Sequence, residues 1–150
     1  MKLTKLCALL VAIVGVGASH AQTKTAAAAP DMKPGLWEIV LVEQAPNAID
    51  TRTTTSRICY SAEDVKQPER VVPPHRDFSV KCQNRDIKSQ AAGITWKVAC
   101  TGADATRSGT GKMTPATDSY TAQVALDVKS KGKTGKLEQT VTGKWVSECK

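Results

Sequence analysis

YTAQVALDV, residues 120–128, decides the fold class. Tyr120, Ala122, Val124, Leu126 and Val128 take every second position, with Thr121, Gln123, Ala125 and Asp127 between them. Successive strand side chains point to opposite faces, so this stretch turns one face to a core and the other to water. The same period of two returns in ITWKVAC, where Ile94, Trp96, Val98 and Cys100 point inward, and in LEQTVTGKW through Leu137, Val141 and Trp145. It also opens the domain, where Trp37, Ile39 and Leu41 alternate with Glu38; Val40 and Val42 suggest partial cover on the second face.

Turn signals at Ala45-Pro46-Asn47, Ala92-Gly93, Thr114-Pro115-Ala116 and Lys131-Gly132-Lys133 separate the runs. The reading is all-β, with strands near 35–43, 51–59, 78–88, 93–101, 106–113, 119–129 and 136–146. These form an antiparallel meander of about seven strands, curled into a barrel or half-barrel. Gly109 and Gly111 share one face of the fifth strand, where missing side chains permit curvature or close approach. Tyr60 to Asp77 breaks the period: Ser61 and Asp64 fit a capping box opening a short helix that Pro68 ends, and Pro73-Pro74 makes the return extended. It is a helical crossover.

The N-terminus has Lys2 and Lys5, an apolar run from Leu6 to Val16, and Ser19-His20-Ala21. This pattern reads as a signal peptide over Met1 to Ala21, cleaved before Gln22. The run is shorter than the ~20 apolar residues that span a bilayer. QTKTAAAAPD, residues 22–31, has no apolar period and reads as a flexible tether. Residues 32–150 then form one domain, with no transmembrane segment in the mature chain.

Cleavage removes Cys7 and leaves Cys59, Cys82, Cys100 and Cys149. An even number of cysteines in a small exported chain reads as disulfides. Their separations of 23, 18 and 49 residues lack the paired spacing of a zinc site. A hairpin centred on Ala91 sets Cys82 opposite Cys100. If the crossover traverses the sheet, Cys59 and Cys149 meet at its other end, which gives the pairs Cys59–Cys149 and Cys82–Cys100.

Without Lys2 and Lys5, 19 of the 21 basic residues face 14 acidic ones, a balance of about +5. That suits contact with anionic envelope surfaces. Nucleic acid is excluded as a partner by the exported compartment and by the lack of a basic stripe interleaved with stacking aromatics.

MKPGLWE, CYSAEDVK, VKC, ITWKVAC, GTGKMT, DSYTAQV and GKWVSEC follow one another in this order. In this the mature chain resembles an exported bacterial family known as a domain of unknown function, thirty-six seventeen. The resemblance implies export and a cysteine-stabilised domain; it brings no catalytic residue.

The chemistry-bearing residues point away from catalysis. His75 is the one histidine of the mature chain and sits in a Pro73-Pro74-His75-Arg76 loop. No nucleophile elbow or phosphate loop accompanies it, and Glu63-Asp64 suit a helix start better than acid–base work. The sequence therefore points to a non-enzymatic periplasmic accessory or binding protein without cofactor or metal. Its partner would be an apolar small molecule, an anionic envelope component or a periplasmic protein. Trp37, Trp96 and Trp145 are the candidate ligand or core face, since Gly35-Leu36-Trp37 resembles the first-strand Gly-x-Trp of lipocalin-type barrels. Lys129, Lys131, Lys133 and Lys136 at one hairpin tip are the candidate anionic-surface contact. The alternative is an envelope protein-interaction module with a filled core and no small-molecule ligand. An enclosed apolar cavity would favour the first reading, and an exposed apolar patch the second.

Overall fold

The computed structural model describes residues 29–44, 51–74 and 80–150. The signal segment, most of the tether and His75 lie outside the described residues. Seven strands are present: β1 (Gly35–Gln44), β2 (Arg52–Tyr60), β3 (Lys81–Gln90), β4 (Gly93–Thr101), β5 (Ala105–Pro115), β6 (Ser119–Ser130) and β7 (Lys133–Ser147). They form one antiparallel sheet in the order β2-β1-β7-β6-β5-β4-β3. The first and last strands are thus neighbours, and the sheet is a half-barrel left open between β2 and β3.

Parity explains why β1 and β7 pair antiparallel. If every connection reversed direction, seven strands would bring β1 and β7 together in parallel. One connection must carry the chain back along the sheet, and the segment after β2 does so. It holds a 3-10 turn at Asp64–Lys66 and the short helix α1 at Pro68–Val71. Ser61 and Asp64 make the expected reciprocal bonds: the Ser61 backbone N–H donates to Asp64 Oδ2 at 2.9 Å, and the Asp64 N–H donates to Ser61 Oγ at 3.1 Å. Pro68 does not simply end a helix. It sits at the first position of α1, where a missing N–H costs nothing. Val65, Val71 and Val72 from this segment are buried in the core.

On the sheet, alternation puts Trp37, Ile39, Ile94, Trp96, Val98, Met113, Tyr120, Ala122, Val124, Leu126 and Val141 into that same core. Burial of such side chains is worth about 1.5–3 kcal/mol each, which makes this face the main source of stability. Packing begins earlier than the tether reading allows. Pro30 and Met32 are buried, Thr117 Oγ1 donates to Asp31 Oδ2 at 3.1 Å, and the Lys33 N–H donates to the Thr117 carbonyl at 2.7 Å. Residues 30–34 are a strap against the β5–β6 turn.

Both disulfides take the pairing that follows from the crossing path. Cys59 joins Cys149 across 90 residues, and Cys82 joins its direct cross-strand partner Cys100 across 18.

Candidate functional site

The three tryptophans lead separate lives. Trp37 is fully buried; its ring stacks on Tyr120 at 5.8 Å between centroids and meets Tyr60 edge-on at 6.3 Å. Its indole N–H donates to the Lys33 carbonyl at 2.9 Å. Burial and the neighbouring Tyr60 hydroxyl hold the Tyr120 phenol far above its ordinary range, so this aromatic group is uncharged packing. Trp96 lies over its cross-strand partner Gly111, whose bare Cα leaves room for the ring, as Tyr120 lies over Gly143. Trp145 is half-buried; its N–H donates to the Pro34 carbonyl at 3.0 Å, and the Lys33 ammonium stands 3.7 Å above its ring. These residues do not converge on a cavity.

The apolar side offers little room. Its slot beside β2, lined by Ile39, Leu41, Ile58, Pro73 and Val141, has about 30 Å³. That suffices for a water or two, not for an acyl chain or a ring system. The lipocalin-like expectation of an enclosed apolar pocket around the tryptophans thus has no counterpart among the described residues: glycines opposite two aromatic rings let the rings fill the space. An apolar docking patch is equally missing there, since Val146 is the single large hydrophobic side chain exposed.

A concavity of about 870 Å³ falls on the opposite face. Its lining comes in triplets, 95–97, 110–112, 123–125 and 138–140, from β4, β5, β6 and β7. In each triplet the middle residue, Trp96, Gly111, Val124 or Gln139, is the inward-pointing one. The middle residues therefore contribute backbone, and the flanking residues contribute side chains. The trough lies on the polar, outward face.

Those side chains form two rows. Register aligns Lys88, Thr95, Lys112, Gln123 and Thr140 from β3 to β7. Beside them run Lys97, Thr110, Ala125 and Glu138. Asp86 ends the second row through an ion pair with Lys97 at 2.8 Å. Asp86 is the site of a bulge: pairing shifts between Arg85 and Lys88, and its φ is 52°. A bulge re-aims side chains, and here the carboxylate meets Lys97 while Ile87 packs against the core. The pair holds the Asp86 carboxyl below its ordinary 3.8, chiefly by hydrogen bonding to Lys97, and lifts the Lys97 ammonium above 10.5.

The lysine tip is a separate feature at the end of β6 and β7. Lys131 and Gly132 have φ of 47° and 75°, the two positive values of a type I′ turn. Lys129, Lys131, Lys133 and Lys136 are all exposed there. Among the described residues no three His, Cys, Asp or Glu side chains gather as a metal site.

The order of strands, cysteines and tryptophan-bearing segments spans residues 32–149, and over those residues the chain matches the model of a protein family of unknown function, DUF3617. The chain belongs to that family. No curated protein and no solved structure matches it. The family assignment agrees with the resemblance in the PGLWE start and the cysteine order, and it carries no role for DUF3617 residues in the trough. Sequence reading did not single out Asp86, Lys88, Lys97, Lys112, Gln123 or Glu138. Each is an ordinary outward residue of a strand, and only the register places them side by side.

Proposed function

We propose that this DUF3617 protein is an exported, non-enzymatic binding protein of the bacterial envelope that contacts a polar component through its outer sheet face. Two disulfides support an oxidising compartment. Among the described residues no helix is long and apolar enough to cross a membrane. The observation that carries the reading is the contrast in room between the two faces. The apolar slot beside β2 holds about 30 Å³, while the polar side opens a trough of about 870 Å³, within the ~300–1,000 Å³ range of ligand sites. This favours a polar envelope component over an apolar small molecule.

Native mass spectrometry of protein purified from periplasm tests the reading. The expected result is a polypeptide starting at Gln22 that carries a polar component or none. A co-purifying acyl-chain lipid, or retention of Met1 to Ala21 in the soluble fraction, overturns it. A stable complex with a second protein, retained without any small component, would instead establish the interaction-module alternative.

A further inference from the structure

The outer trough has chemistry of its own. Thr95, Thr110, Thr140 and Gln123 offer hydroxyls and an amide that both donate and accept, whereas Lys88, Lys97 and Lys112 only donate and the carboxylates of Asp86 and Glu138 only accept. Asp86 is paired with Lys97, and three ammonium groups against two carboxylates leave the lining one positive charge in excess. Ala125 is the one apolar side chain that the outward rows contribute. A ligand that satisfies this lining is rich in oxygen acceptors, carries spaced negative charges and has little apolar surface.

Shape narrows the class. The row from Lys88 to Thr140 crosses five strands, and at ~4.8 Å between strands it is about 19 Å long. Its polar rungs therefore recur at a spacing close to the length of one sugar ring. A flat bilayer surface fits such a concavity poorly. An added peptide strand pairs with a sheet edge, and the trough lies over paired strands.

Asp86 sits at the bulge with φ 52°, a left-handed conformation that aspartate tolerates better than most non-glycine residues. Here it places a carboxylate 2.8 Å from the Lys97 Nζ, which fixes that ammonium at the head of the second row.

We infer that the outer face of β3 to β7 binds an extended acidic glycan across the strands, with Lys88, Lys97 and Lys112 taking its carboxylates and Thr95, Thr110, Gln123 and Thr140 its hydroxyls. The inference rests on the reading that the partner is a polar envelope component, and it names the class.

The test is titration of the isotope-labelled mature protein, disulfides intact, with a galacturonate tetramer, a neutral glucose tetramer and phosphatidylglycerol vesicles, followed by amide shifts. The expected result is that the acidic tetramer moves the amides of Lys97, Thr110, Lys112, Gln123 and Thr140, and that added salt weakens it. The neutral tetramer should bind about ten-fold more weakly, and Lys97→Gln or Lys112→Gln should each cost about ten-fold, as losing one charge-assisted hydrogen bond implies. The paired tip change Lys131→Gln with Lys133→Gln should leave binding unaltered. Lys112→Gln replaces an exposed side chain, so its unfolding midpoint should match the parent, whereas Lys97→Gln also removes the exposed ion pair with Asp86 and should lower the midpoint slightly; Lys97→Arg and Lys112→Arg, which keep the charge, should retain binding and check this. Unmoved trough amides, shifts confined to the tip, or equal affinity for both tetramers would overturn the inference, as would trough shifts caused by vesicles alone. If the tetramer fails while periplasmic protein still carries a polar component, the glycan falls and the broader reading stands. An acyl-chain ligand on that protein would remove both.

Discussion

Gly111→Ala tests the account of why the apolar side is filled. A Cβ built on Gly111 would fall inside the van der Waals radii of Trp96 Cε2 and Cζ2, on a ring that is only 2 % exposed. The ring cannot swing outward without opening the core around Ile94 and Met113. Over-packing of this kind costs about 1–3 kcal/mol. With an unfolding entropy of ~2.1 cal/mol/K per residue, a domain of this size loses about 4 °C per kcal/mol, so the midpoint should fall by roughly 4–12 °C. Gly135→Ala is the matched control, because nothing lies within 4 Å of its Cβ position. It should stay within about 0.5 kcal/mol of the parent or gain slightly from a less flexible unfolded chain. The assay is thermal and urea unfolding by circular dichroism under non-reducing conditions. Adding Trp96→Leu to Gly111→Ala should make the double change less costly than the sum of the singles by about 1 kcal/mol or more. Equal midpoints for Gly111→Ala and Gly135→Ala, or strict additivity with Trp96→Leu, would refute the ring-over-glycine packing.

Loss of the long disulfide through Cys149→Ser with Cys59→Ser should destabilise more than loss of the short one; loops of 90 and 18 residues give about 4.6 and 3.2 kcal/mol by chain entropy. Urea unfolding of each double variant, with non-reducing peptide mapping of the parent, checks both size and pairing. Acid should weaken the fold through two carboxyls. Hydrogen bonds from Ser61 hold Asp64 below its ordinary 3.8, and Lys97 does the same for Asp86. A group with a lowered folded pKa contributes above its unfolded value and loses that contribution as pH falls through the folded one, so Asp64→Asn and Asp86→Asn should each flatten the fall in midpoint below about pH 4. At the β6–β7 turn, Lys131→Asn should raise stability by about 0.5–1 kcal/mol, because Asn tolerates the positive φ that lysine holds there at 47°; an unchanged or lower unfolding midpoint would count against the turn geometry.

The fold was legible where local chemistry and long-range pairing agree. Tyr120 to Val128 alternates cleanly because β6 lies between two strands with a core on one side and water on the other. Cys82 and Cys100 were legible because a hairpin fixes its own register. The Cys59–Cys149 pair followed from parity, once the Tyr60 to Asp77 segment was allowed to cross the sheet. Three features were not legible. Pro30 is buried and Asp31 is bonded to Thr117 in a turn far along the chain, and nothing within QTKTAAAAPD signals this. Pro68 is equally suited to stopping one helical turn and starting the next, and local sequence does not choose. The trough depends on the two-against-one pairing at Asp86 and Ile87, and NRDIK reads as an unbroken strand.

The opened sheet and the placement of the candidate site are connected. β2 and β3 both run from the Cys82 end of the sheet to the Cys59 end, because the crossover has used up the reversal between them, and they stand as the two edges of the sheet. The crossover brings Val65, Val71 and Val72 onto the apolar face, and cover by that segment, with rings lying on Gly111 and Gly143, fills space on that face among the described residues. The proposed recognition therefore uses the outer face, whose side chains are free of core duty. On that face the ladder of paired strands sets polar groups at fixed intervals, and the bulge at Asp86 positions a charge. A repeating polar ligand is what such a surface can match; an apolar one would find a single outward alanine methyl group among hydroxyls, ammonium groups and carboxylates.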